Sequence, residues 1–226
     1  PADGVSRRHR TLTDANGNPV PFVHVDNTAP EGGNGTYESR YNQLSDINGA
    51  GTNSGDIIIL YRGDGTTNLY DQGAQLKANQ YLLGQGAFGN YTFAQTPVWF
   101  SLPGGRPTIT NVNFGGDALT LASGVTVDGI DVIGARRNGF FADGIDSATI
   151  RNVNFRDNLN DGLLILNATG TVLVEGNACT GNGFRMPPHG PTDVDCMDVK
   201  SATTGNLDLT YRNNFVDNNF GNGLEA

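Results

Sequence analysis

Carboxylates crowd one short stretch of the chain, where Asp193, Asp195 and Asp198 are followed by Lys200. Asp193 and Asp195 stand two residues apart, so on an extended strand they share a face. Two carboxylates on one side of a strand, helped by backbone carbonyls, form a hard oxygen set of the kind that holds Ca²⁺. With Lys200 as a base, the same groups could serve proton abstraction from an acidic sugar. The spacing lacks the Asp-x-Asp-x-Asp-Gly order of an EF-hand loop. A second acidic motif, Asp143-Gly144-Ile145-Asp146, has the two carboxylates that glycoside hydrolysis needs. No Asp pair, Gly-His-Gly or Arg-x-Lys accompanies it, so it reads as a polar corner and no catalytic residue is assigned.

Cys179 and Cys196 are the two cysteines and can form one disulfide, which would close a short loop. Inside that loop lie Arg185, Met186, Pro187, Pro188, His189, Gly190 and Pro191, a proline-stiffened segment expected to project from its scaffold. His189 has no His or Cys cluster around it and is not read as a zinc ligand. Arg62-Gly63-Asp64 is read as a turn.

These groups need a scaffold, and internal repetition supplies one. Ile109-Thr110-Asn111-Val112-Asn113-Phe114 is echoed by copies beginning at Val127, Ile150, Val174 and, more loosely, Leu209. In the copies at Ile109, Val127 and Ile150, apolar residues fall at positions one, four and six, while the copy at Val174 carries Asn177 at the fourth. A second marker returns as Asn138-Gly139-Phe140, Asp161-Gly162-Leu163, Asn182-Gly183-Phe184 and Asn222-Gly223-Leu224. Coils of about 20–25 residues match solenoid periods. The wider step from Val174 to Leu209 leaves room for an insertion at Arg185 to Asp193. Apolar alternation in short runs, broken by Gly and Asn, excludes a helical solenoid.

The expected fold is therefore all-β, a right-handed parallel β-helix over residues 55–226 that continues beyond the last residue. Residues 1–54 form a tether, a β-hairpin around Asn16-Gly17-Asn18, and a short capping helix over Tyr41 to Ile47. Asp56 to Tyr61 opens the solenoid as a buried strand, and Gln75 to Gln85 and Val98 to Leu102 supply its early coils. Phe114, Val132, Phe155, Cys179 and Phe215 are expected to stack as one inner column. Asn177 and Asn213 are expected at inward corners.

Composition agrees with a thin core and many turns. Hydrophobic residues make up 37% of 226, and 32 are Gly. A net charge of −9 disfavours nucleic acid as a partner. No apolar run reaches the length of a membrane span, so this segment is not expected to insert directly.

Residues Arg7 to Asp14, Gly17 to Val20, Phe22 to Asn27 and Gly32 to Glu38 resemble the start of the passenger region in inverse-autotransporter-type bacterial surface proteins. Gly55-Asp56-Ile57-Ile58 and Gln80 to Gly86 are similar to that group's opening coils, while Arg40 stands where Pro is expected. The resemblance implies an extracellular, outer-membrane-attached structural or adhesive module. Its partners would be other copies or further coils, and surface glycans. The alternatives are a carbohydrate-active enzyme, or a glycan-binding module dependent on calcium, the one cofactor considered.

Overall fold

The computed structural model describes residues 20, 22–93, 96–183 and 194–226. They are nearly all β, with no α-helix among them. Short strands lie in three rows, each strand paired in parallel with its counterpart one turn of chain later, an arrangement consistent with a β-solenoid.

The first row runs through Phe22–Val25 (β1), Ile57–Leu60 (β2), Tyr81–Gly84 (β4), Val125–Asp128 (β9), Asp146–Arg151 (β12), the second half of Leu163–Glu175 (β14) and Leu207–Arg212 (β17). The second contains Ala74–Gln75 (β3), Leu119–Thr120 (β8), Phe140–Asp143 (β11), the first half of β14, Met197–Ser201 (β16) and Leu224–Glu225 (β19). Thr108–Ile109 (β7), Asp131–Ile133 (β10), Asn154–Arg156 (β13), Ala178–Thr180 (β15) and Phe215–Asp217 (β18) form the third. The first two rows join through the bent strand β14 into one sheet of 12 strands.

Corner chemistry explains where the chain turns. Between the first and third rows sit Gly129, Asn152, Gly176 and Asn213, all with φ between 54° and 76°. After the third row come Gly134, Asp157, Gly181 and Asn218, with φ between 52° and 68°. Only Gly, Asn and Asp enter this left-handed region cheaply. The residue after each corner faces inward, giving Asn177 and Asn214 in one column and Asn158, Asn182 and Asn219 in another.

Register settles the inner column of the third row as Ile109, Val132, Phe155, Cys179 and Val216. The four from Ile109 to Cys179 are fully buried. Phe114 is instead 92% exposed in a loop, and Phe215 is 61% exposed on the outward side of β18. Both belong outside the column. Because side chains alternate along a strand, a slip of one residue exchanges Phe215 for Val216. The same slip moves the inward corner from Asn213 to Asn214.

Two other elements differ from the sequence reading. Val98 to Leu102 does not form a coil. Most of it belongs to Thr96–Ser101 (β6), antiparallel to Phe88–Phe93 (β5) in a hairpin inserted between β4 and β7. The hairpin lies on the outer face of the first row, where Ile57, Ile59 and Leu83 pack with Ala87, Tyr91 and Phe93. Ile58, Leu60 and Leu82 point into the main core. That is why the run Ile57-Ile58-Ile59-Leu60 is apolar on both faces. The expected helix over Tyr41 to Ile47 is reduced to a 3-10 turn at Leu44–Ile47, followed by another at Gly49–Gly51. Glycine and so short a span leave too few bonds to sustain an α-helix.

The first arm and turn of the expected N-terminal hairpin lie outside the described residues. Its second arm is β1, which pairs in parallel with β2.

A candidate acidic site beside the Cys179–Cys196 bridge

At the start of the second row one position recurs as Asp117, Asn138, Asp161, Asp195 and Asn222. Each side-chain oxygen accepts the backbone N–H of the next member. Asn138 N–H donates to Asp117 Oδ1 at 3.1 Å, and Asp161 N–H donates to Asn138 Oδ1 at 3.3 Å. Asp195 N–H donates to Asp161 Oδ1, and Asn222 N–H to Asp195 Oδ1. The column links five successive turns of chain through oxygens that either Asn or Asp can supply.

Two adjacent carboxylates in such a column raise an electrostatic problem. Asp161 is buried, and desolvation, with the charges of Asp195 and Asp198 behind it, pushes its pKa up to about 7. Asp195 and Asp198 are 2% and 3% exposed. Together with Glu225 they place one carboxylate oxygen each within 4.8 Å of the others. The register explains the meeting, because Asp198 stands directly opposite Glu225 between β16 and β19.

Lys200, two residues along β16 and so on the same face as Asp198, brings its ammonium 2.8 Å from Asp198 Oδ2 and 3.5 Å from Glu225 Oε1. Tyr211 closes the inner side, its hydroxyl 3.0 Å from the Glu225 carbonyl and 3.3 Å from that of Met197. Burial, followed by the charges of Asp198 and Asp195, raises the Tyr211 pKa, so it remains a proton donor. Three clustered carboxylates suit a hard cation. Here Lys200 supplies positive charge to two of these carboxylates, Asp198 and Glu225, and calcium would have to compete with it.

Asp193 and the projecting residues Arg185, Met186, Pro187, Pro188 and His189 lie outside the described residues. Cys179 and Cys196 are joined, with Cα atoms 5.8 Å apart, and both are fully buried. Cys196 precedes Met197, whose register partners Leu163 and Leu224 follow Gly162 and Gly223. A Cβ on Gly162 would lie 2.6 Å from the Cys196 carbonyl oxygen and 2.8 Å from Cys179 Sγ, so this corner is tight.

The second acidic motif is not brought into this cluster. Asp143 accepts from Asn167 Nδ2 at 2.7 Å, and Asp146 from Thr169 Oγ1 at 3.3 Å, both pairs joining successive turns on an exposed edge. Asp64 of the Arg62-Gly63-Asp64 triplet accepts from Thr66 N–H and Asn27 Nδ2, as a turn residue does.

Sequence reasoning missed a polar set on the outer face of the first row. Asp128, Arg151, Glu175 and Arg212 follow one another in register through β9, β12, β14 and β17. Arg151 pairs with Asp128, and Arg212 with Glu175 at 2.7 Å. The alternating signs at one register position were a visible signal once coils were aligned.

Compared with protein-family models, with curated proteins and with solved structures, the chain matches none of them.

Proposed function

We propose that this chain is a right-handed parallel β-helix serving as a structural or adhesive module on a bacterial surface. One observation carries the reading: among the described residues, the Asp and Asn side chains at the coil corners hold turn to turn. The column from Asp117 to Asn222 uses its oxygens on backbone N–H groups, as do Asn177 and Asn182. Asp143 and Asp146 are likewise engaged between turns. Right-handedness follows the strong general preference for crossovers between parallel strands. Export is supported by the disulfide, which persists in oxidising surroundings, and by the resemblance of the opening residues to inverse-autotransporter passengers.

Axial neighbours are part of the proposal. At the face formed by β17, β18 and β19, Phe220 and Leu224 are 63% and 44% exposed. Further coils or another copy of the chain would cover this apolar face and extend its ladders. The positive charge at the Asp198–Glu225 corner is assigned to Lys200, not to calcium.

Antibody labelling of intact cells and electron microscopy of the purified chain at rising concentration test the reading. Surface labelling with rods that lengthen is expected. Absent labelling opposes display, and compact monomers at every concentration oppose axial assembly. Release of unsaturated products or reducing ends from an acidic polysaccharide, abolished by Asp195→Ala, would put the enzyme alternative in its place.

A further inference from the structure

The β5–β6 hairpin has two unlike faces. Inward, Tyr91 and Phe93 are 4% and 1% exposed, stacked with ring centres 5.4 Å apart. Outward, Phe88 and Trp99 are 61% and 67% exposed. Phe88 stands opposite Ser101, and Asn90 opposite Trp99, so the two aromatic residues are diagonal neighbours on one face. That spacing is roughly 7–8 Å, within reach of two rings side by side. Asn90, Thr92 and Ser101 share the face and edge the rings with hydroxyl and amide groups.

Phe88 also borders a cleft lined by Asp128, Arg151, Asn152 and Glu175, with a volume of about 330 Å³. Its charges cancel: Arg151 is paired with Asp128, and the Glu175 at its rim with Arg212. The whole chain carries a net charge of −9. Polyanions are therefore repelled at long range, and a polycation finds no excess negative charge in the cleft.

An occupant matched to this surface has flat apolar faces for the rings, a rim of hydroxyls for planar polar groups, and no net charge. We infer that the outward face of the β5–β6 hairpin and its adjoining cleft bind a neutral polysaccharide, the pyranose rings stacking on Trp99 and Phe88 and their hydroxyls meeting Arg151, Asn152 and Glu175. This deepens the adhesive reading and rests on it for where the ligand is met. Aromatic side chains suit the task because each offers a rigid apolar plane at low entropic cost.

Trp99 is the single tryptophan, so its fluorescence reports the site alone. The full chain is titrated with hexasaccharides of β-1,4-linked glucose, mannose and N-acetylglucosamine, and with a galacturonate hexamer. A saturable blue shift with at least one neutral hexamer and none with galacturonate is expected. Calorimetry should show affinity falling at least tenfold in Trp99→Ala and in Phe88→Ala, with thermal melting unchanged. No saturable shift from any neutral hexamer, preference for galacturonate, or equal binding by the variants would overturn the inference. So would a blue shift on raising protein concentration alone, which assigns the face to a second copy. A chain that labels on cells but ignores sugars defeats this inference and spares display; a sugar-binding chain absent from the surface does the reverse.

Discussion

The Tyr91 hydroxyl donates to Asp128 Oδ2 at 2.7 Å and pins the inserted hairpin to the first row of strands. Asp128 is 1% exposed and also accepts from Arg151, whose guanidinium lies 4.3 Å from the centre of the Tyr91 ring. Burial and the Asp128 charge raise the Tyr91 pKa, so the donor proton is kept well into alkaline solution. Tyr91→Phe removes one hydrogen bond to a buried charge, a loss of about 1.5–3 kcal/mol. Most of that loss is expected as local opening. Hydrogen exchange should quicken in Phe88–Phe93 and Thr96–Ser101, while β12 and β14 keep their protection. Equal acceleration throughout would show that the hairpin and the coils open together.

The Asn158–Asn182–Asn219 ladder should matter out of proportion to its size. Asn182 Oδ1 accepts from both the N–H and Nδ2 of Asn158, and its own Nδ2 donates to Asn219 Oδ1 at 3.0 Å. Asn182→Ala leaves buried donors on Asn158 without their acceptor, at about 1–3 kcal/mol for each orphaned group. Denaturant unfolding should show that loss in midpoint with little change in slope. Asn182→Asp keeps the acceptor oxygen yet removes the donors and adds charge, and is expected to be no better tolerated.

Parallel strands and their repeat were legible from β9 onward, where corners return at Gly129, Asn152, Gly176 and Asn213. The copy at Ile109 was misplaced, because Ile109 pairs with Val132 in the third row while Val127 pairs with Ile150 in the first. What was not legible was phase. Leu207, Leu209 and Tyr211 all lie on one side of β17, and any of them satisfies the repeat, yet the register puts Tyr211 opposite Val174. Phe215 attracts assignment to the core by size, but the corner at Asn213 and the inward Asn214 turn it outward. The marker Asn182-Gly183 also belongs elsewhere: Asn182 stacks on Asn158, while Asp195 takes the place matching Asp161. The sequence alone could place Asp195 and Asp198 near one another. It could not bring Glu225 to them, because that contact depends on a strand one full turn later.

The disulfide should govern the last coils more than the first. It joins Cys179 in β15 to Cys196 across 17 residues of sequence. In the loop-entropy picture, closing a loop of that size stabilises by roughly 3 kcal/mol. Paired Cys179→Ala and Cys196→Ala substitutions should lower the unfolding midpoint by a corresponding amount. Hydrogen exchange is expected to quicken in β15, β16 and β18, leaving β2 to β12 protected. A fall in midpoint with unchanged local exchange would place the effect in global unfolding of the core, where both sulfurs are buried.

Asp161 gives the fold a pH dependence whose sign can be worked out. Its folded pKa is raised to about 7, chiefly by desolvation, from an ordinary value near 3.8. The native state therefore holds this proton more tightly than the unfolded chain does. Its stabilising contribution is complete below about pH 3.8 and is lost as pH rises through about 7. Between pH 5 and pH 8 the contribution of Asp161 should lower the unfolding midpoint as pH increases. Asp161→Asn retains the oxygen that accepts the Asp195 N–H, and Asn already occupies this column at Asn138 and Asn222. The variant should match the parent near pH 5, exceed it at pH 8, and show a flatter profile between. The carboxylates with lowered pKa, such as Asp26, lose their contribution only at more acid pH. His24, its pKa lowered chiefly by burial, contributes with the opposite sign in the imidazole range, equally in parent and variant, so the difference between the two isolates Asp161. A variant whose profile parallels the parent's across this range would mean that Asp161 ionises in the folded protein without penalty, and that the paired acids of the column are better solvated than their burial implies.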